Sequence, residues 1–244
     1  MFGIFASLLR GVRDVVFPLT CIVCKARLDG CAAAEPVCPG CLQKIKKNRP
    51  PFCIRCGRTL DAQASAGLVC AGCLENPVVF DRAFAPCAYD GTVKALIKAF
   101  KYRQKDYIAG VLGNLLIEFI REYDLPMRHI DMLMPVPLHA ARRREREFNQ
   151  AELLCRQIAA GFDKPIETAA LIRGRDTPAQ AALGTDRRKA NVAGAFRVCD
   201  SLAVRGKNIL LIDDVLTTGA TASEAAAALK NAGANIVFIL TVAN

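Results

Sequence analysis

The stretch of residues 208–221, NILLIDDVLTTGAT, constrains the fold of this chain more than any other part of the sequence. Four consecutive apolar residues follow polar Lys207 and Asn208, which is typical of a strand buried on both faces of a parallel sheet. Asp213 and Asp214 stand at the carboxyl end of this strand, where ligands bind in open α/β sheets. We therefore expect the acid pair to accept hydrogen bonds from the vicinal hydroxyls of a sugar.

A loop of small and hydroxylated residues follows the acid pair and leads into a helix predicted over 222–231, with Gly233 at its C-terminal stop. The loop consists of Thr217, Thr218, Gly219, Ala220 and Thr221. At a helix N-terminus several backbone N–H groups converge on one anion, so the loop is predicted to bind a phosphate. The alternative is an ordinary buried strand followed by a surface turn with capping threonines. The sequence contains neither GxGxxG nor GxxxxGK(S/T).

Four Cys-x2-Cys pairs mark the first third of the chain and repeat the spacing C-x2-C-x13-C-x2-C twice. Two such pairs supply the four thiolates of a tetrahedral zinc site. One zinc is predicted at Cys21, Cys24, Cys38 and Cys41, and a second at Cys53, Cys56, Cys70 and Cys73. Ligation across the two repeats and a redox role for the pairs are the alternatives. Because this part has few long apolar runs, we expect the zinc to be structural.

The other cysteines and the apolar start of the chain bear on its compartment. Of 12 cysteines, Cys31, Cys87, Cys155 and Cys199 fall outside the pairs, and we interpret them as small apolar residues. The first residues lack a preceding basic region and run into Arg10, which is not typical of a signal peptide. We expect a cytoplasmic protein with no transmembrane segment. Two filled zinc sites would lower the formal charge from +10 to about +6, which still favours anionic ligands.

The distribution of apolar residues and cysteines predicts three parts. Residues 1–18 carry apolar residues at helical spacing and are predicted to form an amphipathic helix that packs on its own protein, with a membrane or partner surface as the alternative. Residues 19–77 hold the double zinc module, and residues 78–244 form an α/β domain. Between the cysteine repeats, residues 44–49 are basic; we interpret them as a solvated turn, with contact to nucleic-acid phosphates as the alternative.

Apolar strands and amphipathic helices alternate after residue 77, which predicts a doubly wound parallel sheet. Besides the strand that begins at residue 208, strands are predicted at 78–89, 130–134, 169–172, 195–198 and 236–242. Besides the helix after the loop, helices are predicted at 92–102, 107–123 and 143–160. The strand at 130–134 runs into a turn that Pro135 and Pro137 stiffen.

Several short motifs occur in a fixed order: the cysteine pairs, Lys101-Tyr102, Pro-Val-Pro-Leu-His at 135–139, an arginine-rich run at 142–146 and Phe-Asn-Gln at 148–150. The strand, acid pair and loop of residues 208–221 closely resemble the phosphoribosyl-pyrophosphate (PRPP) motif of the type I phosphoribosyltransferases. Together the motifs resemble the ComF family from Cys21 to about Ala243. The resemblance implies a type I phosphoribosyltransferase-like parallel sheet with a small N-terminal zinc-binding domain, and PRPP binding with Mg²⁺.

Carried over residue by residue, the resemblance implies a PRPP site at the carboxyl ends of two strands. Asp213 and Asp214 would accept the ribose hydroxyls, with Val215 beside them, and the five loop residues would bind the 5′-phosphate. Lys101 would lie near the ligand. Backbone N–H groups after the second strand would bind the pyrophosphate, in a loop made of Val136, Pro137, Leu138 and His139.

The arginine-rich run supplies Arg142, Arg144 and Arg146, whose guanidinium groups could neutralise a pyrophosphate or a nucleic-acid backbone. Charges on an exposed helix face are the alternative. Glu147 stands where the family usually has glycine, which leaves the local backbone conformation open. His129 and His139 lack the spacing of metal ligands, and we interpret both as structural.

A polar segment near residues 175–191 resembles the flexible segment that closes over the ligand in this family. Its length of about 20 residues favours a lid on its own account. The candidate lid residues are Arg175, Thr177, Gln180 and Arg188.

These observations support two functional hypotheses. The first is a PRPP-binding, phosphoribosyltransferase-type protein which, as the family resemblance implies, takes part in DNA uptake and natural transformation. The second is a non-catalytic scaffold that binds single-stranded DNA or senses PRPP. Expected partners are PRPP, and with it single-stranded DNA and competence proteins. The sequence contains no signature of an acceptor substrate, so whether transfer is catalysed is left open.

Overall fold

A computed structural model describes residues 19–28, 36–60, 67–102, 105–175 and 192–244. The helix predicted at 1–18, Cys31 and the lid residues Thr177, Gln180 and Arg188 lie outside the described residues. Within the ranges that are described, no helix is both long and apolar enough to cross a membrane. The predicted division of the chain after residue 77 stays a prediction.

The strands of the α/β part are β1 (Arg82–Phe84), β2 (Met132–Pro135), β3 (Leu171–Arg173), β4 (Phe196–Val198), β5 (Asn208–Val215) and β6 (Ile236–Ala243). Four of them form a sheet in the order β1-β6-β5-β2, and every neighbouring pair is parallel. The parallel α/β fold predicted from the sequence is thereby confirmed. β5 lies between two neighbours, which is why its apolar run is buried on both faces.

The helices of the described residues, in chain order, are α1 (Pro39–Gln43), α2 (Ala71–Glu75), α3 (Gly91–Phe100), α4 (Ile108–Glu122), α5 (Ala140–Arg146), α6 (Gln150–Phe162), α7 (Ser201–Val204) and α8 (Ala220–Asn231). α1 and α2 begin directly after the third cysteine of each repeat, at Cys38 and Cys70. The longer helices connect or follow the parallel strands, as crossover connections require.

Three predictions about elements need correction. β3 and β4 were expected in the parallel sheet, but they pair with each other as a separate antiparallel ribbon. Short apolar runs specify a strand without specifying its partner, which explains the error. The helix predicted over 143–160 is two helices, α5 and α6, because Glu147 adopts a left-handed backbone with φ 69° and ends the first. The strand predicted at 78–89 is confined to β1, since Pro86 follows and has no N–H for a ladder.

The two faces of the sheet are covered by different elements, because alternate residues of a strand point to opposite sides. Residues such as Leu210 and Ile212 belong to a core cluster with α3, α4 and α6. Their neighbours Ile209 and Leu211 belong to a second cluster with α8 and the β3–β4 ribbon. The sheet is therefore buried on both sides, and ligands can reach it only at its edges.

Each cysteine repeat of the zinc module folds in the same way. In the first, Cys21 N–H donates to Ala26 O, and in the second, Cys53 N–H donates to Arg58 O, both at 2.8 Å. In both repeats the residue directly after the second cysteine has a positive φ, 64° at Lys25 and 73° at Gly57. The repeated spacing in the sequence thus corresponds to a repeated structure.

Candidate functional site

The acid pair lies at the carboxyl end of β5, where Asp213 is opposite Thr241 of β6. Asp214 is buried, and its N–H donates to Asp213 Oδ1 at 2.8 Å. Its carboxylate is 2.9 Å from the ammonium group of Lys101, which directly follows α3. Lys101 and Asp214 are far apart in the sequence, so only the fold brings this cation to the acid pair.

The electrostatics of the pair are set by burial and by its neighbours. Burial first, and then the charge of Asp214, raise the pKa of Asp213 from its ordinary 3.8 to about 7. The positive charges of Lys101 and Arg173 act in the opposite direction. Arg173 ends β3 and was not among the predicted site residues. Its position one residue before Gly174, at the start of the polar segment, is the only signal that the sequence offered for it.

The loop after β5 has the features of an anion-binding site. Leu216, directly after β5, anchors the start of the loop, because its N–H donates to Ala243 O at 2.9 Å. Gly219 has φ 76°, and a Cβ placed there would lie 3.4 Å from Val78, so both the conformation and the space favour glycine. Among the described residues, the N–H groups of Thr217, Thr218 and Gly219 have no hydrogen-bond partner.

The loop then passes directly into α8. Thr218 Oγ1 accepts the N–H of Ala220 at 3.4 Å, at the first residue of the helix. The N–H groups before it thus stand at the N-terminus of a 12-residue helix, where partial positive charge accumulates. This is the arrangement that the sequence predicted for a phosphate.

The loop after β2 lies next to the acid pair, because β2 is the other neighbour of β5. Two residues of this loop do not offer a backbone N–H to a ligand. Val136 N–H donates to Ile212 O at 2.9 Å and thereby extends the ladder between β2 and β5. Pro137 has no N–H. Neither Val136 nor Pro137 therefore has a backbone N–H available to a ligand.

His139 also begins α5, since its Nδ1 accepts the N–H of Ala141 at 3.4 Å, and the structural role expected for it stays a prediction. The arginine-rich run forms α5 itself, directly after the loop. Arg142 is half-buried, Arg144 is exposed, and Arg146 donates to Gln150 Oε1 at 3.1 Å. These guanidinium groups lie beside the loop after β2, and their binding of a pyrophosphate or of a nucleic-acid backbone stays a prediction.

Of the four lid candidates only Arg175 is described, and it is exposed two residues after β3. The roles assigned to the individual residues of the PRPP site stay predictions. The structure does bring Lys101, the acid pair, the loop after β5 and the loop after β2 to one edge of the sheet.

The eight paired cysteines form two groups in which all Sγ atoms lie within 4.8 Å of one another. The grouping follows the repeats, so ligation across the repeats is excluded in this structure. Cys24 and Cys38 have their sulfurs 3.7 Å apart, and Cys56 and Cys70 have theirs 3.6 Å apart. A tetrahedron of thiolates at zinc requires about 3.8 Å. The cysteine geometry therefore fits two structural zinc ions.

Backbone N–H groups also favour thiolates in both groups. Cys38 N–H points at Cys21 Sγ, and Cys70 N–H points at Cys53 Sγ, both at 3.4 Å. Burial opposes ionisation, but N–H groups outweigh it and lower the pKa of Cys21 to about 6 and that of Cys53 to about 7. Zinc, when bound, would link the two turns of each repeat. Of the other cysteines, Cys87 and Cys155 are buried as expected, whereas Cys199 is exposed.

Comparison with known proteins agrees with both halves. The model of the double zinc ribbon domain matches residues 12–74, and the model of the phosphoribosyl transferase domain matches residues 151–244. Competence protein F of Haemophilus influenzae is 30% identical over 224 residues, which are 89% of this chain and 93% of the relative. The chain belongs to the ComF family. The two domain models together match residues in both the cysteine-rich part and the α/β part of this chain.

Two further relatives of this ComF-family chain carry related names. The DNA utilization protein YhgH of Salmonella typhi is 32% identical over 67% of this chain and 72% of its own length. Competence protein ComFC of Bacillus subtilis is 32% identical over 59% of this chain and 56% of its own. Among solved structures, a glutamine PRPP amidotransferase from B. subtilis covers 55% of this chain and 26% of its own, at 18% identity and a TM-score of 0.37.

Proposed function

We propose that this ComF-family protein binds PRPP at the carboxyl edge of its sheet and acts as a phosphoribosyltransferase-type protein. The observation that carries the proposal is the joint placement of three groups at that edge. They are the Asp213–Asp214 pair with Lys101 at 2.9 Å, the loop that opens α8, and the loop after β2. A ribose diol, a 5′-phosphate and a pyrophosphate need these three kinds of partner.

In this proposal each part of the ligand has its own partner. The acid pair accepts the ribose hydroxyls, and the N–H groups of Thr217, Thr218 and Gly219 bind the 5′-phosphate. Leu138 offers its N–H group to the pyrophosphate, next to the arginines of α5. Mg²⁺, which accompanies PRPP in type I phosphoribosyltransferases, would offset the charge of the pyrophosphate.

Transfer would break the bond between the anomeric carbon and the pyrophosphate oxygen, and an acceptor atom would form the new bond to that carbon. The pyrophosphate leaves with the bonding electron pair, and the acceptor releases its proton. This chain would assist by holding the diol and the departing pyrophosphate in fixed positions and by excluding water. The acceptor has no recognisable site among the described residues.

We further propose a role in the handling of DNA during natural transformation, with competence proteins as partners, and a location in the cytoplasm. The support is that two relatives are named competence proteins and another is named a DNA utilization protein. The cysteines also form two four-thiol groups rather than disulfides, which suits a reducing compartment.

The test is isothermal titration with PRPP and Mg²⁺, comparing the wild type with the double variant Asp213→Asn/Asp214→Asn. We expect binding by the wild type and a loss of affinity of about a hundredfold or more in the variant, because two charged acceptors are lost. Asp163→Asn is the matched control, since Asp163 is an exposed aspartate directly after α6, at the helix end away from the site. A wild type that does not bind PRPP would refute the proposal. Pyrophosphate release, measured across a panel of bases and single-stranded DNA, then decides whether transfer is catalysed.

A second candidate function is binding of single-stranded DNA beside the same edge. Tyr102 and Tyr107 are 67% and 51% exposed, close to Lys101. Lys105 lies between them, with its ammonium group 5.9 Å from the Tyr102 ring. Exposed aromatic rings between cations are typical of surfaces that stack bases and contact phosphates. No aromatic interleaving of this kind was identified from the sequence.

Fluorescence anisotropy with a labelled oligothymidine tests this second candidate. Tyr102→Ala should weaken binding by about fivefold or more, because stacking on one base contributes about 1–3 kcal/mol. Lys105→Ala should weaken it less and flatten its salt dependence. Lys94→Ala is the control, since its ammonium group lies 5.8 Å from another tyrosine ring, that of Tyr89. Equal effects of Lys105→Ala and Lys94→Ala would contradict this function for the surface.

A further inference from the structure

Two adjacent buried amides at the start of α6, Asn149 and Gln150, contact two different segments of the proposed PRPP site. Asn149 is 9% exposed and Gln150 is 2% exposed. Buried amides of this kind are usually satisfied by partners that they hold in place. Here the partners are backbone carbonyls at the ends of β2 and α3, which are distant from each other in the sequence.

Asn149 fixes the loop after β2. Its Nδ2 donates to Val136 O at 3.1 Å, while its Oδ1 accepts the N–H of Ala151 and caps α6. The Val136 N–H already donates to Ile212 O. The Val136 residue is therefore held on both sides, by β5 and by Asn149, two residues before the N–H group of Leu138.

Gln150 fixes the end of α3. Its Nε2 donates to Phe100 O at 3.3 Å, and its Oε1 accepts from Arg146 at 3.1 Å. Phe100 is the last residue of α3, and Lys101 follows it directly with its ammonium group on Asp214. The rings of Phe148 and Phe100 lie 5.9 Å apart and support the same contact.

Glu147, with a left-handed backbone, separates α5 from these two amides. It ends α5 and lets the chain reverse into α6, so that Arg146 reaches Gln150. We propose that Asn149 and Gln150 are positioning residues, an inference that rests on the proposed PRPP site. Asn149 fixes the position of the pyrophosphate-binding loop, and Gln150 fixes the position of Lys101 relative to the acid pair. Neither amide contacts the ligand in this arrangement.

Titration with PRPP and with its separate parts distinguishes this positioning role from a merely structural one. Isothermal titrations with PRPP, pyrophosphate and ribose 5-phosphate, each with Mg²⁺, compare the wild type with Asn149→Ser. Serine keeps the helix cap but is too short to reach Val136 O. We expect affinity for PRPP and pyrophosphate to fall about five- to tenfold, and affinity for ribose 5-phosphate to stay within about twofold. A structural defect would lower the affinity for all three ligands together.

Gln150 is tested by a double-mutant cycle with Lys101. Gln150→Met keeps the side-chain length and removes the amide, so Lys101→Ala should lower PRPP affinity less in this background than in the wild type. Additive effects would overturn the role of Gln150. Arg156→Ala is the control on the same helix, since Arg156 is exposed and pairs with Glu152.

The outcomes also separate this inference from the proposed function. If the wild type binds none of the three ligands, the proposed function fails and the positioning roles fail with it. If the wild type binds PRPP and Asn149→Ser changes all three affinities equally, or none of them, the role of Asn149 is overturned while the proposed function stands. Thermal unfolding of each variant shows whether it is folded at the titration temperature.

Discussion

The zinc half and the sheet half of this protein differ in the forces that stabilise each of them internally. Among the described residues up to Asn76, the buried apolar side chains other than cysteines are Val37 and Leu60. The sheet half supplies most of two clusters of buried side chains, one on each face of the sheet, and the first cluster also includes Cys21, Val37 and Cys41 of the zinc half. We infer that the zinc module, which has few fully buried apolar side chains of its own, depends mainly on metal ligation, whereas the sheet half depends mainly on the hydrophobic effect.

The halves nevertheless share a hydrogen-bonded seam near the proposed site. The basic stretch between the repeats pairs with the chain after β1, where Asn48 N–H donates to Pro86 O at 2.7 Å and Ala88 N–H donates to Lys46 O at 3.0 Å. The buried Asn48 side chain donates to Ala85 O and to Asn244 Oδ1, both at 3.0 Å. Asn244 in turn donates to Cys56 O at 2.8 Å, so the seam links a predicted zinc ligand to the end of β6.

The basic stretch also forms ion pairs across the seam. Lys46 pairs with Asp90 at 2.6 Å, and Lys47 pairs with Glu118 at 3.1 Å. These lysines therefore contact acids of the sheet half. The interpretation of the stretch as a solvated turn did not include these ion pairs. Because the two halves differ in their main source of stability, we expect them to respond differently to loss of zinc, to core substitutions and to loss of the seam.

The largest effect is expected from removal of zinc, because structural sites of this type contribute about 10 kcal/mol each. After chelation, amide protons of residues 19–28, 36–60 and 67–76 should lose protection in hydrogen exchange, while β5 and β6 keep theirs. Cys41→Ser should have the same effect on the first repeat alone. Cys199→Ser is the control, since it lies outside both cysteine groups. Unchanged protection of the zinc half without metal would show that the halves do not differ in this way.

Substitution of a leucine by alanine should destabilise the sheet half more than the zinc half. Leu211→Ala removes a fully buried side chain of β5 and should lower the free energy of unfolding by about 2–5 kcal/mol. Leu74→Ala, at a residue 67% exposed in α2, should change it by about 0.5 kcal/mol or less. Urea unfolding of the zinc-loaded protein measures both. Similar losses for the two variants would place apolar stabilisation in the zinc half as well.

The seam is tested by Asn48→Ala, which removes the side-chain donor to Ala85 O and to Asn244 Oδ1. The expected loss is about 1–3 kcal/mol, together with separate unfolding transitions for the two halves in calorimetry. Asn235→Ala is the control, because Asn235 is exposed and its amide donates to Asn208 Oδ1 at 2.8 Å. A single transition with no loss of stability would mean that the halves do not depend on this seam.

The smallest effect concerns pH and involves the sheet half alone. The pKa of Asp213 is about 7 in the folded protein and 3.8 ordinarily, so folding favours its protonated form. This contribution to stability is present at low pH and is lost as pH rises through about 7. Asp213→Asn should therefore raise Tm by a few degrees near pH 8 and by less near pH 5.5, while abolishing PRPP binding. A Tm difference that does not change with pH would contradict the raised pKa.

The local patterns of the sequence were sufficient for much of the fold. The run before Asp213 specified a strand buried on both faces, because four consecutive apolar residues have no polar face to turn to water. The repeated cysteine spacing specified two four-thiol groups, because a Cys-x2-Cys turn places two sulfurs near one ion. β3, β4 and the break at Glu147 were misjudged, because short runs do not name their partners and a left-handed glutamate has no periodic signal.

By itself, the sequence determined the strand, the acid pair and the phosphate-type loop, because all three depend on neighbouring residues and on the helix that starts at Ala220. The tertiary structure decided which distant groups join them. The pairing of β2 with β5 engages the Val136 N–H, and the packing of α3 brings Lys101 to Asp214. Such contacts depend on strand order and helix packing, which a local pattern does not encode.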